Sequence, residues 1–460
     1  MTNFSLIIYR HLIAPLLMTS FRILGLFNEK IRQGLEMRRG NSSGSGPVWL
    51  QGNLGGSPIW IHCASGEFEY AKPIITEIKV RWPNKKILVT FFSPSISQAV
   101  KKFPGVDAAF PTPWENAHHW QTFVDYHRPC ALLIARTDTW PEMLIAARQS
   151  RIPVLLFSAT LATNSGRLKC IMRPLTRATF NLIDDIFCVS DEDRIAFESL
   201  DLKRITVSGD TRYDQVQARL IKPKLIKENL FSNCENSHLL IAGSTWSEDE
   251  EVLLKVIKSC VEQSIRFVLV PHEPTASHLD ALESQISKLQ LRSIRYSSAT
   301  TWEASEILLV DEIGILAELY LKGTFAFVGG SFRKTVHSVM EPLAAGCITF
   351  VGPLYLNNRE AIEFAKIKVT NTPEITAVIP VQNHTEFTKA LLQIQQVLQW
   401  QHHLQEHKSL GIKEVLEFHQ TPIKPPENSI SDKIRAEIQL RSGKSQLVIE
   451  WLANILQSRV

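Results

Sequence analysis

The sequence predicts an α/β protein of two doubly wound domains, each a parallel sheet with helices on both faces. Three observations predict it. The chain has 460 residues, too many for one ordinary domain and enough for two of about 150–200 residues. Short runs rich in Val, Ile, Leu and Phe alternate with amphipathic stretches, the pattern of strands buried on both faces and separated by helices. The rhythm also stops and restarts near the middle of the chain.

In order along the chain, residues 4–27 (FSLIIYRHLIAPLLMTSFRILGLF) are strongly apolar but interrupted by Arg10, His11 and Arg22. A clean membrane span wants about 20 apolar residues without central charge, and no small-residue cleavage site follows to make this a signal peptide. The segment reads as an anchor that lies in a membrane interface or crosses shallowly, its basic residues facing an anionic leaflet. The alternative is a helix pair buried in the first domain. NSSGSG at 41–46 reads as a flexible link.

The first domain follows, at 46–222. Its strand runs are 59–64 (IWIHCA), 87–92 (ILVTFF), 131–135, 153–157 (PVLLF), 186–189 and 205–208, with helical periodicity at 68–82 and 191–199. A polar, lysine-containing stretch at 222–237 reads as a hinge. The second domain, 223–427, has runs at 238–244 (HLLIAGS), 266–271 (RFVLVP), 307–311 (ILLVD), 325–330 (FAFVGG) and 347–353 (CITFVGP), with helical patterns at 248–263, 275–289, 313–322 and 336–345. Residues 428–460 read as a largely helical segment that packs back on the body. No short-period repeat is visible.

Composition narrows the function. Apolar residues are 44% of the chain and charged residues 21%, so two cores can be built and disorder is excluded. The seven cysteines are scattered with no CxxC, which argues against a zinc ribbon or a disulfide scaffold and fits a reduced, cytosolic body. Residues 1–45 hold six basic and two acidic side chains, which accounts for the whole net charge of +4. A neutral body lacks the basic footprint that a nucleic-acid binder needs.

In open parallel sheets ligands sit outside the carboxyl ends of the strands, and with two such domains a cleft between them is the natural site. The first run ends in His62-Cys63-Ala64-Ser65-Gly66-Glu67. Glu67 can serve there as a general base or, equally, as a first-turn acid that stabilises the next helix. The 131–135 run ends in Arg136-Thr137-Asp138-Thr139-Trp140-Pro141, and the 205–208 run leads into Gly209-Asp210-Thr211-Arg212-Tyr213-Asp214; charged groups at both tips can face a ligand or simply pair with each other. In the second domain Gly243-Ser244-Thr245 is expected to open a helix whose amides can hold an anion. Pro271-His272-Glu273-Pro274 ends the next strand. Gly329-Gly330-Ser331, then Arg333-Lys334, then a helix that begins at His337 and ends at Ala345-Gly346 suit a phosphate-bearing ligand. Glu341 can accept hydrogen bonds from ribose hydroxyls. The spacings are neither GxxxxGK[ST] nor GxGxxG, and no HxxxH, DxD or cysteine cluster points to a metal. A membrane-held α/β enzyme using a nucleotide-activated substrate, of the GT-B glycosyltransferase type, fits best.

At these motifs the sequence resembles the bacterial 3-deoxy-D-manno-octulosonic acid (Kdo) transferase family. The resemblance runs from IYRHLIAPL through WIHCASGEFEYAKPII (60–75), TDTWP (137–141), RIPVLLFSATL (151–161), SDEDRIAF (190–197) and VSGDTRYD (207–214). It continues through AGSTWSEDE (242–250), VPHE (270–273), VDEIGILAELY (310–320) and FVGGSFRKTVHSVMEPLAAG (327–346). It implies an inverting transfer of Kdo from CMP-Kdo to a hydroxyl of the lipid A precursor (lipid IVA), in lipopolysaccharide core biosynthesis. No cofactor or metal ion is implied, and the place is the cytoplasmic face of the inner membrane.

The resemblance also assigns residues. Glu67 falls at the catalytic base, and Asp138 and Arg212 at an acidic and a basic position used for transition-state stabilisation. Pro271 and His272, Ile313-Gly314-Ile315, and Ser338, Val339, Met340 and Glu341 fall at the CMP-binding positions. The chain departs from the family pattern at several of these. Ser65 and Gly66 are adjacent where one residue usually intervenes, Asp138 stands for glutamate, and Arg212 for lysine. Ser338 stands for asparagine, and Ile315 for a common glutamate. Two other readings compete: a related GT-B enzyme using a UDP-sugar, and a membrane-bound lipid A precursor-binding module without transferase activity.

Overall fold

The computed structural model of the protein describes residues 4–39, 47–50, 52–234, 237–303, 305–371, 373–409 and 429–458; the 41–46 link lies outside them. The chain forms two compact units, one of residues 1–215 with 441–460, the other of residues 216–440. The units part inside a helix, seven residues ahead of the expected boundary.

In the first unit seven strands form one parallel sheet in the order β3-β2-β1-β4-β5-β6-β7. They are β1 (Ile59–Cys63), β2 (Ile87–Phe91), β3 (Ala108–Pro111), β4 (Ala131–Ala135), β5 (Val154–Ala159), β6 (Asp185–Cys188) and β7 (Ile205–Val207). Its helices are α1 (Phe4–Ile8), α2 (Ala14–Leu24), α3 (Glu29–Arg39), α4 (Phe68–Arg81), α5 (Ser97–Lys102), α6 (Ala117–His127), α7 (Pro141–Gln149), α8 (Arg173–Phe180) and α9 (Asp191–Glu198). The run read as IWIHCA is β1, buried throughout. Side chains alternate across the pleat. Ile59, Ile61 and Cys63 therefore enter the core beneath α4, and Trp60 enters the opposite core with Trp120 and Phe123. The strand order reverses between β1 and β4. That reversal opens the crevice in which such sheets bind ligands.

The second unit repeats the plan with the order β10-β11-β9-β8-β12-β13-β16. Its strands are β8 (His238–Thr245), β9 (Ile265–Pro271), β10 (Ser293–Arg295), β11 (Ile307–Leu309), β12 (Phe325–Val328), β13 (Ile348–Val351) and β16 (Val378–Pro380), with a hairpin of β14 (Lys368–Asn371) and β15 (Glu374–Thr376). Helix α10 (Arg212–Ile221) leads in. It is followed by α11 (Ser247–Cys260), α12 (Ala276–Lys288), α13 (Leu316–Tyr320), α14 (Met340–Ala345), α15 (Arg359–Phe364), α16 (His384–Ser409) and α17 (Ile430–Arg441). The last helix, α18 (Ser445–Gln457), belongs to the first unit, where Val448, Ile449 and Leu452 complete the core under α4.

Residues 4–24 form one helical run with a π turn at Tyr9–Ile13 between α1 and α2. It is long and apolar enough to cross a membrane. It is not the buried helix pair that was the alternative. Leu6, Tyr9 and Ala14 face the body, while Phe4, Leu12, Leu16, Ile23 and Leu24 are exposed. Two polar ties hold it. Arg10 makes a bidentate pair with the buried Glu142, both contacts 2.7 Å, and the Tyr9 hydroxyl donates to Glu115 at 3.1 Å. Glu115 also accepts the Trp120 indole N–H at 2.8 Å and the Glu142 amide at 2.8 Å. Burial pushes its carboxyl up to about 7 even so.

Candidate functional site

At the sheet reversal of the first unit, Asp138 sits past the end of β4 and Glu67 past the end of β1. His62 and Thr90 are register partners on β1 and β2. The Trp60 indole can only donate, and does so to Thr90 Oγ1 at 2.8 Å. Thr90 Oγ1 also lies 2.9 Å from His62 Nδ1, and because an ionised carboxylate can only accept, His62 donates from Nε2 to Asp138 Oδ2 at 2.9 Å. The Trp140 indole reaches the same oxygen at 3.3 Å. Burial pushes the Asp138 carboxyl up, but the hydrogen bond from His62, the Trp140 N–H and the Arg167 guanidinium outweigh it and hold it below the ordinary carboxylate range.

Glu67 ends the shortened loop. Its carboxylate folds back to accept the Ser65 amide at 2.8 Å and makes no capping bond to α4. Glu67 holds the N-cap position of α4, so its charge lies at the positive end of that helix. Cys63, fully buried, is pushed up by burial and then by Glu67 and Asp138, so both carboxylates lie near one thiol.

At the same end of the sheet stand cations. Arg212 opens α10 with its guanidinium on Asp210, Nη2 to Oδ2 at 2.7 Å, and its Cζ 4.5 Å from the centre of the Tyr70 ring. Arg136, in the left-handed region at φ 61°, lies over the same ring at 5.3 Å and donates to Thr160 at 2.8 Å. Arg167 donates to the Thr137 carbonyl at 2.9 Å. The structure thus brings Glu67, Asp138 and Arg212 to one end of one sheet. It sets Arg136, already read as a strand-tip charge, beside them and adds His62, Tyr70 and Arg167, to which the sequence reading gave no part in the site. A histidine inside an otherwise apolar parallel strand was the available signal for His62, because a buried polar group there requires a partner.

In the second unit the residues with donor-site expectations fall into two groups. Pro271 ends β9, and the exposed His272 stacks on His337 at 4.5 Å and 11°, with the Trp246 ring centre 4.7 Å from its own. The Trp246 indole donates to His337 Nε2 at 3.0 Å, so the proton of this imidazole is on Nδ1; burial and then His272 push His337 down. Arg333 lies 3.9 Å over Trp246.

The other group is Ile313-Gly314-Ile315 with Ser338 to Glu341. Arg219, on α10, joins them: it donates to Glu341 Oε1 at 2.7 Å, to Glu318 Oε2 at 3.3 Å and to the Gly314 carbonyl at 3.4 Å. Lys224 Nζ donates to the same carbonyl at 2.8 Å. Gly314 has φ +89°, a conformation glycine adopts without strain, and leaves Ile313 exposed. Burial pushes Glu318 up, but Arg219 and the Lys224 amide outweigh it and hold it below its ordinary value.

Two expectations need correction. The helix after β12 starts at Met340, not at His337, because the 330–339 loop is tied elsewhere: Asp249 accepts the Gly330 and Phe332 amides at 2.7 and 3.1 Å. Those glycine-loop amides are therefore already engaged. Likewise β8 runs on to Thr245, and the first turn of α11 carries Glu248, Asp249 and Glu250, which would repel an anion. Among the described residues no three His, Cys, Asp or Glu side chains converge as a metal site.

Residues 30–215 match the family model described as 3-deoxy-D-manno-octulosonic-acid transferase (kdotransferase). The 3-deoxy-D-manno-octulosonic acid transferase of Aquifex aeolicus is 27% identical over 341 residues, 73% of this chain and 85% of that protein. That of Rickettsia felis is 25% identical over 328 residues, 69% and 68%. Over that stretch and across most of its length the chain is thus similar to the Kdo transferases. Among solved structures, the UDP-GlcNAc 2-epimerase of Neisseria meningitidis superposes with a TM-score of 0.57 at 14% identity, covering 86% of this chain and all of that one. The likeness is one of fold, over both units of this chain.

Proposed function

We propose that the protein is a glycosyltransferase that moves Kdo from CMP-Kdo to a hydroxyl of the lipid A precursor lipid IVA, with inversion. The first unit holds the acceptor and the second the donor. The observation that carries this reading is the pair of carboxylates at the sheet reversal, Glu67 poised on the Ser65 amide and Asp138 kept ionised by His62. Glu67 takes the proton of the acceptor hydroxyl, whose oxygen bonds to the anomeric carbon of Kdo. The bond from that carbon to the phosphate oxygen breaks, and its electron pair leaves on CMP. Asp138 stabilises the positive charge that grows on the sugar, and Arg212 the negative charge on the phosphate. On the donor side, Pro271, His272, Ile313 to Ile315 and Ser338 to Glu341 hold CMP. The chemistry calls on no cofactor or metal ion. The exposed apolar face of α1 and α2 lies in the cytoplasmic leaflet of the inner membrane, where the acceptor resides.

The test is CMP release from CMP-Kdo with a tetra-acylated acceptor, for the wild type, Glu67→Gln and Glu67→Ala. Wild-type turnover that falls by about 10²–10⁴ in both variants, with CMP still bound, is the expected result. Turnover that survives both removes Glu67 as the base. A wild type that binds lipid but releases no CMP removes the transferase reading.

A further inference from the structure

We infer that a groove between α2, α3 and the loop after β2 takes an acyl chain of the acceptor. The inference rests on the transferase reading and extends it to how the acceptor is held. The groove is an open pocket of about 130 Å³ walled by Phe21, Ile31, Leu35, Phe92, Pro94 and Trp114. An apolar cavity of roughly 150 Å³ admits a benzene-sized molecule, so this one suits a short length of hydrocarbon chain rather than a sugar. Its floor is closed by Arg38, whose guanidinium is spent on the carbonyls of Gly34, Phe92 and Thr112 at 2.6, 2.9 and 2.9 Å and on the Thr112 hydroxyl at 3.0 Å. The exposed Lys30 stands at the rim.

The position of the groove selects its occupant. Phe92 stacks on Trp140 at 5.3 Å and 20°, and the Trp140 indole donates to Asp138. A second, smaller cavity shares Phe21, Phe92 and Trp114 with the groove and has Trp140 in its wall. One aromatic stack therefore joins the carboxylate of the reaction site to the hydrocarbon-lined groove. An amphiphile with its sugar beside Asp138 lays an acyl chain along Trp140 and Phe92 into the groove, with its phosphate within the field of Lys30. A bilayer phospholipid has no sugar hydroxyl to place at Asp138, so the geometry favours the acceptor itself.

Gly34 lines the groove from α3, and a Cβ there meets Arg38 Nη1 at 3.5 Å and Pro94 Cδ at 3.8 Å, ordinary contacts. Gly34→Leu fills the groove while raising helix propensity, and Ile31→Phe fills it from the neighbouring turn. The full chain is assayed with CMP-Kdo and two acceptors, the tetra-acylated phosphorylated disaccharide and its fully deacylated counterpart. The expected result in both variants is a fall of about tenfold in the kcat/KM preference for the acylated acceptor, carried by KM, the factor that losing contact with about two methylene groups implies. A preference that stays at the wild-type value, or equal losses on both acceptors, overturns the groove. A wild type that turns over neither acceptor fails the transferase reading instead. The groove is then judged by tryptophan emission with a bromo-acylated acceptor: quenching in the wild type that is weaker in Gly34→Leu supports it, and equal quenching overturns it.

Discussion

Replacing His62 by phenylalanine isolates what the imidazole does for Asp138. The ring is fully buried on β1, so phenylalanine keeps most of the packing and removes both polar contacts. A hydrogen bond to a charged group is worth about 1.5–3 kcal/mol and leaving its partner buried adds to the loss. Asp138 retains a quarter of its side-chain exposure, so water recovers part of that, and the expected cost is about 2–3 kcal/mol at neutral pH. For a unit of this size that is a fall of roughly 7 °C in melting temperature. The pH dependence is the sharper test. In the wild type Asp138 lies below its ordinary value, so its contribution is present above about pH 4 and lost as pH falls through the folded value. In the variant burial is opposed only by Trp140 and Arg167, the carboxyl rises, and its ionised form costs stability that falling pH relieves. The gap in melting temperature between the two proteins is therefore widest near pH 7.5 and narrows toward about pH 4.5. A gap that is constant over that range refutes the coupling, as does transfer activity unaltered by the substitution.

Three further outcomes are expected. Arg219→Met leaves Glu318, 2% exposed, without its guanidinium and removes the 2.7 Å contact to Glu341; CMP affinity by calorimetry should fall about tenfold and the second unit lose about 2–3 kcal/mol, whereas unchanged CMP affinity would separate this cluster from the donor site. Glu115 is raised to about 7, so the stability it contributes is full below its ordinary value and lost as pH rises through about 7. Hydrogen exchange at residues 9–14, corrected for intrinsic rate, should speed up between about pH 6 and 8, and Glu115→Gln should flatten that change. CMP rather than UDP should raise the melting temperature, and transfer should continue in EDTA; stabilisation by UDP alone would contradict the donor assignment.

The strands buried on both faces were legible because each is a continuous apolar run, and β1, β2, β4, β5, β8, β9 and β12 lie where those runs lie. Strand β3 was not, since AAFP offers two alanines and a proline and only half of it is buried. The three-residue edge strands β10 and β16 are too short to show a period. Glu67, Asp138 and Arg212 were legible as charges at the tips of apolar runs, with the family resemblance giving them roles. Arg219 was not, because an arginine on an amphipathic helix looks the same whether it meets water or the buried Glu318. The loop at 330–339 was misread as helical for a related reason: its tie is Asp249, some eighty residues away, and nothing local announces it.

Helix α18 gives the enzyme a temporal property. The start of α10, which carries Arg212, is braced by residues 443–445: Asp214 accepts the amides of Gly443 and Ser445, the latter at 2.6 Å, and Gly209 packs on Lys444. Val448, Ile449 and Leu452 cover the same core that Ile61 and Cys63 enter from β1. A nascent chain can pair all seven strands of its first sheet while still attached to the ribosome and yet present an open apolar face under α4 until residues 445–457 emerge. The reaction site is therefore finished only after residues 445–457 have emerged, and a product truncated ahead of α18 carries every residue assigned to the reaction without the support that fixes them.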